Sequence, residues 1–450
     1  MVSAYDSRIL GPLFAEPEIA RLFDDGATVR AMARVEAALA RVEAELGIVP
    51  RDAAERITQA VDTFVPDLDA LGVGAEQAGV AVIAFVAQLR DHVGGDAAQW
   101  VHWGATSQDI VDTALMLQVR DALALIAGRL DRAIDALARL ADTHRGTVMA
   151  GRTRYQQALP TTFGLKCAGW LLPLVRCRER LPGLRLRLLA VQFGGAAGTL
   201  AALGDDGVAV MEALAAELDL ACPALPWHAQ RDGIAELGSW LSLVTGALGK
   251  LGQDAALLAQ TEVGEIDESA GGGRGGSSTM PQKANPVTGE ALVAAARLNA
   301  TLLGGLHQAQ IQEHERGGVG WQMEWATLPT MVVTAGAALA KIVALLDRLS
   351  VSAGRMRANL GPEDGLILAE AATFALADHM PRPEAQALVK QAARAVLAGG
   401  GHLVDALKSR TAAAVDWERL RDPSCYLGSN DALIDRALAA ARAADDAQQS

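Results

Sequence analysis

The segment "GGGRGGSSTMPQKANP", residues 271–286, combines a run of glycines with side chains that can bind an anion and move a proton. Glycine inside a regular element costs roughly 0.5–1 kcal/mol relative to alanine, so the pattern predicts a loop. Lys283 offers a compact positive charge and Asn285 an amide donor, and such groups stabilise negative charge that develops during a reaction. The hydroxyl of Ser277 can exchange a proton if cationic groups and backbone N–H groups activate it.

A second group of anion-binding residues stands at the start of "TSQDIVDTALMLQVRDALALIAGRLDRAIDALARLADTH". Thr106 and Ser107 combine hydroxyls with backbone N–H groups at a predicted helix N-terminus, which is a ready anion site. Either residue can cap the helix, and Asp109 lies near its positive end. Farther along the chain, Arg316 offers a rigid fork that suits a carboxylate. A local cluster of Arg and Lys can oppose the negative charge of the whole chain, so an anionic small molecule is not excluded as a ligand.

Long helices are predicted to position these residues. In the segment that starts at Thr106, one apolar stripe contains Ile110, Ala114, Leu117, Leu123, Leu130, Ile134 and Leu137. At ~1.5 Å per residue, a helix of about 38 residues would be near 57 Å long. Similar patterns recur at 234–261, 286–314 and 328–351. Long helices with short connections predict an antiparallel bundle, and helices that are apolar on most sides predict a homo-oligomer.

The sequence predicts an all-α chain with three domains. Residues 1–105 form shorter helices broken by turns, among them a helix from Val29 to Leu46 that Gly47 ends. Residues 106–350 form the central long-helix bundle. In residues 351–450 the helices shorten again, with a break at "HMPRP".

Composition excludes several classes of partner and site. The chain has 450 residues and a formal net charge of −13, which argues against nucleic acid or an anionic membrane as partner. Since no run approaches ~18 apolar residues, we expect no membrane span. Four cysteines without CxxC spacing and an N-terminus unlike a signal peptide predict a cytoplasmic protein with reduced thiols. Eight histidines without an HxxxH or HExxH pair make a metal site improbable.

Three segments resemble the fumarase/aspartase superfamily. "GSSTMPQKANP" resembles its signature, GSSxMPxKxNP. "HWGATSQDIVDT", residues 102–113, and "GRTRYQQALPTTFG", residues 151–164, are similar to its first and second motifs and come in the expected order. With "FGGAAGTLAAL" and "QRDGIAELGSWLSLV", the resemblance extends over nearly the whole chain.

Two further segments, "QEHERGGVGWQMEW" and "PWHAQRDGIAEL", are most similar to the branch of the superfamily that cyclises a carboxymuconate. Adenylosuccinate lyases are the next most similar. They carry an HDVxAF segment with a substrate-binding histidine, where this chain has the apolar "VAVIAF", residues 80–85. This departure counts against a nucleotide substrate.

The resemblance implies a three-domain, all-α subunit whose long helices assemble into a 20-helix tetramer core, with each active site built from three chains. It implies a small tricarboxylate substrate, a carbanion stabilised as an aci-carboxylate, and no cofactor. Ser277 would exchange the proton, and the glycine loop would close over the site as a lid. The implied catalytic residues are Ser277, Lys283 and Arg316; the implied substrate-binding residues are His102, Thr106, Ser107, Arg154, Gln156 and Asn285.

Arg154 departs from the superfamily's second motif, which usually reads GRTHxQ. An arginine is charged at every useful pH and cannot shuttle protons. Glu290 stands where the glutamate partner of that histidine falls, so we predict an Arg154–Glu290 ion pair, with Arg154 also anchoring a substrate carboxylate. The alternative is that Arg154 points to solvent and Glu290 meets a lysine. His102 likewise has an alternative role, as a satisfied core histidine.

Two other functions compete with cyclisation. A C–N lyase would release fumarate from a succinyl-amine, but "VAVIAF" and "EHERGGVGW" favour the cycloisomerase branch. A non-catalytic helical scaffold would retain the fold without the chemistry. The intact Ser277, Lys283 and Asn285 argue against the scaffold.

Overall fold

The computed structural model describes residues 3–269, 275–361 and 364–449. Its architecture is all-α, as predicted. Eighteen α-helices are formed by the described residues. The first six are α1 (Gly11–Phe14), α2 (Pro17–Ala20), α3 (Asp25–Glu45), α4 (Arg51–Thr63), α5 (Leu68–Ala78) and α6 (Val82–Val93). The next six are α7 (Ser107–Thr143), α8 (Phe163–Leu188), α9 (Gly207–Leu218), α10 (Asp232–Leu258), α11 (Val287–Ala309) and α12 (Val319–Leu346). The last six are α13 (Ala353–Ala358), α14 (Ala369–Ala377), α15 (Arg382–Leu397), α16 (Leu403–Lys408), α17 (Trp417–Arg421) and α18 (Asn430–Gln449).

Four short strands accompany the helices in the described ranges. They are β1 (Val148–Thr153), β2 (Gln156–Thr162), β3 (Ile266–Asp267) and β4 (Ser350–Val351). β1 pairs antiparallel with β2, and β3 pairs antiparallel with β4. The sequence did not predict these strands. Short 3₁₀ segments lie at Arg21–Phe23, Gly95–Trp100, Ala201–Asp206, Leu366–Leu368 and Pro423–Cys425.

The five longest helices among the described residues, α7, α8, α10, α11 and α12, have 23 residues or more, and the sequence predicted four of them. α7 has 37 residues and agrees with the prediction at both ends. α12 begins at Val319 and continues through Pro329, whereas the predicted helix began at residue 328. α11 ends at Ala309, five residues before the predicted end. The fifth, α8, was not predicted, and its sequence contains Pro173 and Pro182.

The helix α12 is also the most apolar of the long helices. Among the described residues it is the one helix long and apolar enough to cross a membrane. However, 72% of its most apolar stretch is buried inside the protein, as in the core helix of a soluble protein.

The chain divides into two compact units, each made of three segments. Unit 1 comprises Met1–Arg129, Cys177–Gly246 and Ala295–Ala340. Its main core joins the buried faces of α3, α4, α6 and α9 to the first part of α7. Unit 2 comprises Leu130–Arg176, Ala247–Ala294 and Lys341–Ser450, and α14, α15 and α16 enclose one of its cores. The boundaries of both units fall inside the five long helices, and the three-domain division stays a prediction.

Candidate active site

The N-terminus of α7 lies in unit 1 and is closed by reciprocal hydrogen bonds. The Thr106 N–H donates to Asp109 Oδ2 at 3.0 Å, and the Asp109 N–H donates to the Thr106 carbonyl at 3.0 Å. The helix therefore begins at Ser107, with an acidic residue in its first turn. The predicted helix start is confirmed, and the side chains of Thr106 and Ser107 both remain partly exposed.

Asp109 is buried and organises three chain segments around this helix start. Its carboxylate accepts hydrogen bonds from Gln192 Nε2 at 3.0 Å and from the N–H groups of Gly194 and Gly195 at 3.0 and 2.9 Å. His228 Nε2 lies 2.8 Å from Asp109 Oδ1. A buried carboxylate is costly unless it is hydrogen-bonded, and both oxygens of Asp109 have hydrogen-bond partners. The sequence placed Asp109 at the helix dipole and missed this organising role.

Arg316 lies beside the same helix start. Its Nη1 donates to Thr106 Oγ1 at 2.7 Å, and its side chain is otherwise exposed on the loop between α11 and α12. The first N–H groups of a helix lack intrahelical partners and carry a partial positive charge. Arg316 and the α7 N-terminus therefore form one positively polarised surface that suits a carboxylate. The structure brings these predicted residues together.

A buried ionic cluster fixes the helix that follows Arg316. Arg231 Nη1 donates to Asp112 Oδ2 at 2.6 Å, and Arg231 Nε donates to Glu324 Oε1 at 2.9 Å. Trp321 Nε1 donates to Asp112 Oδ1 at 2.9 Å. Burial raises the pKa of Glu324, although Arg231 opposes the shift. The cluster ties the first turns of α12 to α7, and it assigns the Trp321 ring to packing.

His102 is held by Glu36 of α3. Its Nδ1 lies 2.7 Å from Glu36 Oε1, and its backbone adopts the left-handed region with φ of 65°. Burial works to lower the pKa of His102, but the charge and hydrogen bond of Glu36 outweigh it and the pKa is raised. His102 is thus a half-buried histidine with a buried acidic partner, and both predicted roles, substrate binding and a satisfied core histidine, agree with this contact. The signal for Glu36 in the sequence was a charged residue on the mostly apolar face of α3.

The hairpin of β1 and β2 lies in unit 2 and presents the second motif. Arg152 donates to Glu265 Oε1 and Oε2 at 2.6 and 2.9 Å, and Asn359 Nδ2 donates to the same carboxylate at 2.9 Å. Glu265 is fully buried, so Arg152 has a structural partner. The hairpin tip is Arg154 and Tyr155, whose φ angles are 50° and 67°.

Two predicted site residues are exposed at this tip. Arg154 at the turn and Gln156 at the start of β2 both have exposed side chains. A left-handed conformation in a residue other than glycine is uncommon and costs free energy. The hairpin therefore projects Arg154 on a defined backbone.

The signature loop is described from Gly275 onward, and residues 271–274, which include the predicted lid glycines, lie outside the described residues. The N–H groups of Thr279 and Met280 donate to Ser277 Oγ at 3.3 and 3.1 Å. The Asn285 N–H donates to the Gly275 carbonyl at 2.8 Å, which closes the loop on itself. Lys283 is exposed. Two donors at Ser277 Oγ favour its deprotonated form.

Arg154 and Glu290 form no ion pair with each other in the described residues of a single chain. Glu290 is exposed in the first turn of α11. The buried carboxylate at that helix start is Glu268, which accepts from the N–H groups of Thr288 and Gly289 at 3.0 Å each. Burial raises the pKa of Glu268. The Arg154–Glu290 ion pair stays a prediction.

The predicted site residues fall into three local groups. His102, Thr106, Ser107 and Arg316 belong to unit 1. In unit 2, Ser277, Lys283 and Asn285 share the signature loop, while Arg154 and Gln156 share the hairpin. Among the described residues, no group of three or more His, Cys, Asp or Glu side chains could hold a metal ion.

Comparison with known families matches most of the chain. The lyase family matches residues 17–298, and the C-terminus of adenylosuccinate lyase matches residues 365–437. Together these matches include all three motifs.

Individual relatives are similar over nearly their full length. The chain is 45% identical to a 3-carboxy-cis,cis-muconate cycloisomerase of Pseudomonas aeruginosa, with 96% of each chain covered. It is 41% identical to a nitrosuccinate lyase of Streptomyces davaonensis, covering 97% of this chain and 96% of the relative. Among solved structures, the 3-carboxy-cis,cis-muconate lactonizing enzyme of Pseudomonas putida superimposes with a TM-score of 0.92 at 40% identity. That match covers 98% of this chain and the whole of the other.

Proposed function

Because the chain belongs to the lyase family of the fumarase/aspartase superfamily, we propose that it is a 3-carboxy-cis,cis-muconate cycloisomerase. The observation that supports this most is the 45% identity over 96% of a cycloisomerase of that name, together with a solved lactonizing enzyme at a TM-score of 0.92. The reaction closes 3-carboxymuconate to 4-carboxymuconolactone, a step of protocatechuate catabolism by the β-ketoadipate route.

In the proposed reaction, one carboxylate oxygen of the substrate adds to a carbon of a double bond, and a C–O bond forms. The electron pair of the π bond moves to the adjacent carbon, where a neighbouring carboxylate delocalises it. The substrate brings three negative charges, and their total does not change in this step. The attacking carboxylate becomes a neutral ester, while the neighbouring carboxylate gains a second negative charge that the site must stabilise. Arg316 beside the α7 N-terminus and Lys283 with Asn285 on the signature loop supply the donors, and such preorganised donors give the largest share of many rate enhancements.

Ser277 delivers the proton in this proposal. Its Oγ–H bond breaks as the new C–H bond forms, which leaves an alkoxide. The N–H groups of Thr279 and Met280 already point at Ser277 Oγ, so they stabilise that alkoxide without rearrangement. Water then returns the proton to the serine. The lid function of the glycines remains part of the proposal.

Arg154 anchors a substrate carboxylate in place of a proton-transferring histidine. An intramolecular carboxylate is a leaving group of low pKa in the reverse reaction and needs no proton, whereas an amine does. The loss of the histidine therefore suits a cycloisomerase. Arg154 is exposed at the hairpin tip and is therefore free to contact a ligand, and Glu290 would be its ion-pair partner.

The active enzyme is proposed to be a cytoplasmic homotetramer whose sites collect residues from three subunits. The domains would then be residues 1–105, 106–350 and 351–450. His102, Thr106, Ser107, Arg154, Gln156 and Asn285 would bind the substrate. The local grouping of these residues supports a composite site. Each group has exposed polar atoms, but no single group has enough of them to bind the whole substrate.

A second candidate is a C–N lyase. It is favoured by the 41% identity to nitrosuccinate lyase and by the match to the adenylosuccinate lyase C-terminus. The apolar residues 80–85 lack the histidine that a succinylated nucleotide would need. The cycloisomerase is therefore a better proposal than a lyase that acts on a succinylated nucleotide.

The deciding experiment incubates the purified protein with enzymatically made 3-carboxymuconate and follows the ultraviolet absorbance of the diene. The absorbance should fall without added metal or nucleotide, and EDTA should leave the rate unchanged. Parallel assays use adenylosuccinate and nitrosuccinate. Ser277→Ala should abolish most turnover, while Ser278→Ala, the adjacent and exposed serine, is the matched control. Consumption of either lyase substrate with 3-carboxymuconate untouched would contradict the assignment.

A further inference from the structure

Two glutamates lie on the buried face of α3, seven residues apart. Glu36 is 1% exposed and Glu43 is 0% exposed. Carboxylates are almost never fully buried unless they are paired. The structure therefore requires a partner, or a proton, for each of them.

Glu36 has one hydrogen-bond partner among the described residues, and that partner is His102. Its Oε1 lies 2.7 Å from His102 Nδ1, whereas its Oε2 is buried without a hydrogen bond. A buried anion that relies on a single contact is stabilised much more by a cation than by a neutral donor. The geometry thus favours an imidazolium at His102.

Glu43 does not compete with Glu36 for that cation. Neither of its carboxyl oxygens has a hydrogen-bond partner within the described part of the chain. Burial, with a further contribution from the charge of Glu36, raises the pKa of Glu43 to about 9. Glu43 is accordingly neutral near pH 7, and the buried charge facing His102 is that of Glu36.

The other charged groups around His102 already have hydrogen-bond partners. Arg90 of α6 opposes the protonation of His102, but its Nη2 donates to the Val101 carbonyl at 2.9 Å. Asp109 of α7 favours protonation, and it is shared with His228 and four other donors. Arg316 donates to Thr106. The strongest favourable influence on the His102 charge is therefore Glu36.

The other ring nitrogen of His102 is available. Nε2 has no hydrogen-bond partner in the residues that the structure describes, and the side chain is 16% exposed. The left-handed backbone at His102, followed by Gly104 with φ of 67°, fixes the turn that leads to Thr106. Nε2 of His102 thus belongs to the same motif as Thr106, which together with Arg316 forms the positively polarised surface at the start of α7.

We propose that Glu36 is a positioning residue that holds His102 as an imidazolium, so that Nε2–H binds a carboxylate of the substrate. The identity of the ligand rests on the proposed function; the charge of His102 does not. Affinity is then full while His102 is protonated and is lost as the pH rises through its pKa. KM should rise with pH for this reason, and kcat should follow a different profile.

The test is Glu36→Gln, which keeps the size of the side chain and removes its charge. Glu45→Gln is the matched control, because Glu45 is an exposed glutamate on the same helix. Each unit by which the pKa of His102 falls lowers its charged fraction at alkaline pH about tenfold. Glu36→Gln should therefore raise KM at pH 8, by about tenfold for each unit by which the pKa of His102 falls, leave KM at low pH near that of the parent, and change kcat little.

The proton NMR titration of the His102 ring, assigned with His102→Gln, supplies a readout without substrate. The His102 signal should titrate at lower pH in Glu36→Gln than in the parent or in Glu45→Gln. An unchanged titration would overturn the inference even if the enzyme cyclises 3-carboxymuconate. A shifted titration in a protein that leaves 3-carboxymuconate untouched would contradict the proposed function and keep the Glu36 assignment. If Glu36→Gln does not fold, a pH-independent KM in His102→Gln supports the inference, and a KM that retains the parent's pH dependence overturns it.

Discussion

When Glu43 is replaced by glutamine, the free energy of unfolding of the variant relative to the parent should increase as the pH rises. The reason is that the substitution removes a carboxyl group that folding keeps protonated. Glu43 is fully buried in the core of unit 1, and neither of its oxygens has a hydrogen-bond partner in the described residues. Burial raises its pKa from an ordinary 4.5 to about 9. In the unfolded chain the group ionises above its ordinary value, and in the folded chain it does not.

The size of the effect follows from the linkage between proton binding and folding. One pKa unit corresponds to about 1.4 kcal/mol. Between pH 4.5 and 9 the unfolded chain gains this amount per pH unit relative to the folded chain, and the loss stops growing above pH 9. At pH 7 the carboxyl group therefore costs about 3 kcal/mol, and at pH 5 it costs less than about 1 kcal/mol.

The assay compares urea or thermal unfolding of the parent and of Glu43→Gln at pH 5, 6, 7 and 8. A buried amide without partners has its own desolvation cost of about 1–3 kcal/mol, so the absolute difference at one pH is less informative than its slope. The stability of the variant relative to the parent should increase by about 1 kcal/mol per pH unit. Glu43→Met, which removes the polar group, should show the same slope from a higher starting value. Glu45→Gln should show neither effect, and a difference between Glu43→Gln and the parent that is independent of pH would refute the reasoning.

Three further perturbations address the proposed site. Arg316→Ala and Lys283→Ala should each lower kcat/KM by at least ~10²–10³, since removal of a single oxyanion donor commonly costs that much; near-normal turnover would exclude that residue. Thr106→Val and Ser277→Ala should each be nearly inactive. When the subunits of these two variants are mixed by denaturation and refolding, part of the activity should return. A fully active monomer in sedimentation would contradict shared sites. Arg154→Ala should raise KM with little loss of folding stability, and Arg154→His should lose affinity without gaining C–N lyase activity; parent-like kinetics in Arg154→Ala would remove the anchoring role.

Sequence periodicity predicted α7 well, because one apolar stripe runs along the whole segment and no proline interrupts it. It failed for α8, where Pro173 and Pro182 interrupt the pattern, although tertiary packing retains the helix. The pattern also predicted the start of α12 too late. Pro329 is typical of the first turn of a helix, but Trp321 and Glu324 are already helical and buried. Helix boundaries near prolines thus depended on contacts far away in the chain.

The site shows the same division between local and distant information. The loop with Ser277, Lys283 and Asn285 and the helix start at Thr106 are local patterns, and the sequence revealed them. The contacts of Asp109, Arg152 and Glu36 join positions tens of residues apart or more, and nothing local in one sequence specifies such pairs. The sequence showed that a charged residue stands on an apolar helix face, but it did not show which residue is the partner of that charge.

The division of the chain into units has a consequence for how the protein is made. Unit 1 needs residues up to Ala340, and unit 2 takes its first residues at Leu130 and its last at the C-terminal end. During synthesis, therefore, neither unit can be completed while the ribosome is still adding the long central helices. Domains usually fold as they emerge, the N-terminal one first. Here the main core of unit 1 needs residues only up to Leu218, but about three quarters of the chain must be synthesised before the last segment of unit 1 is present. The apolar surfaces that pack on that segment stay exposed on the nascent chain until then, and chaperones can act on them during this interval.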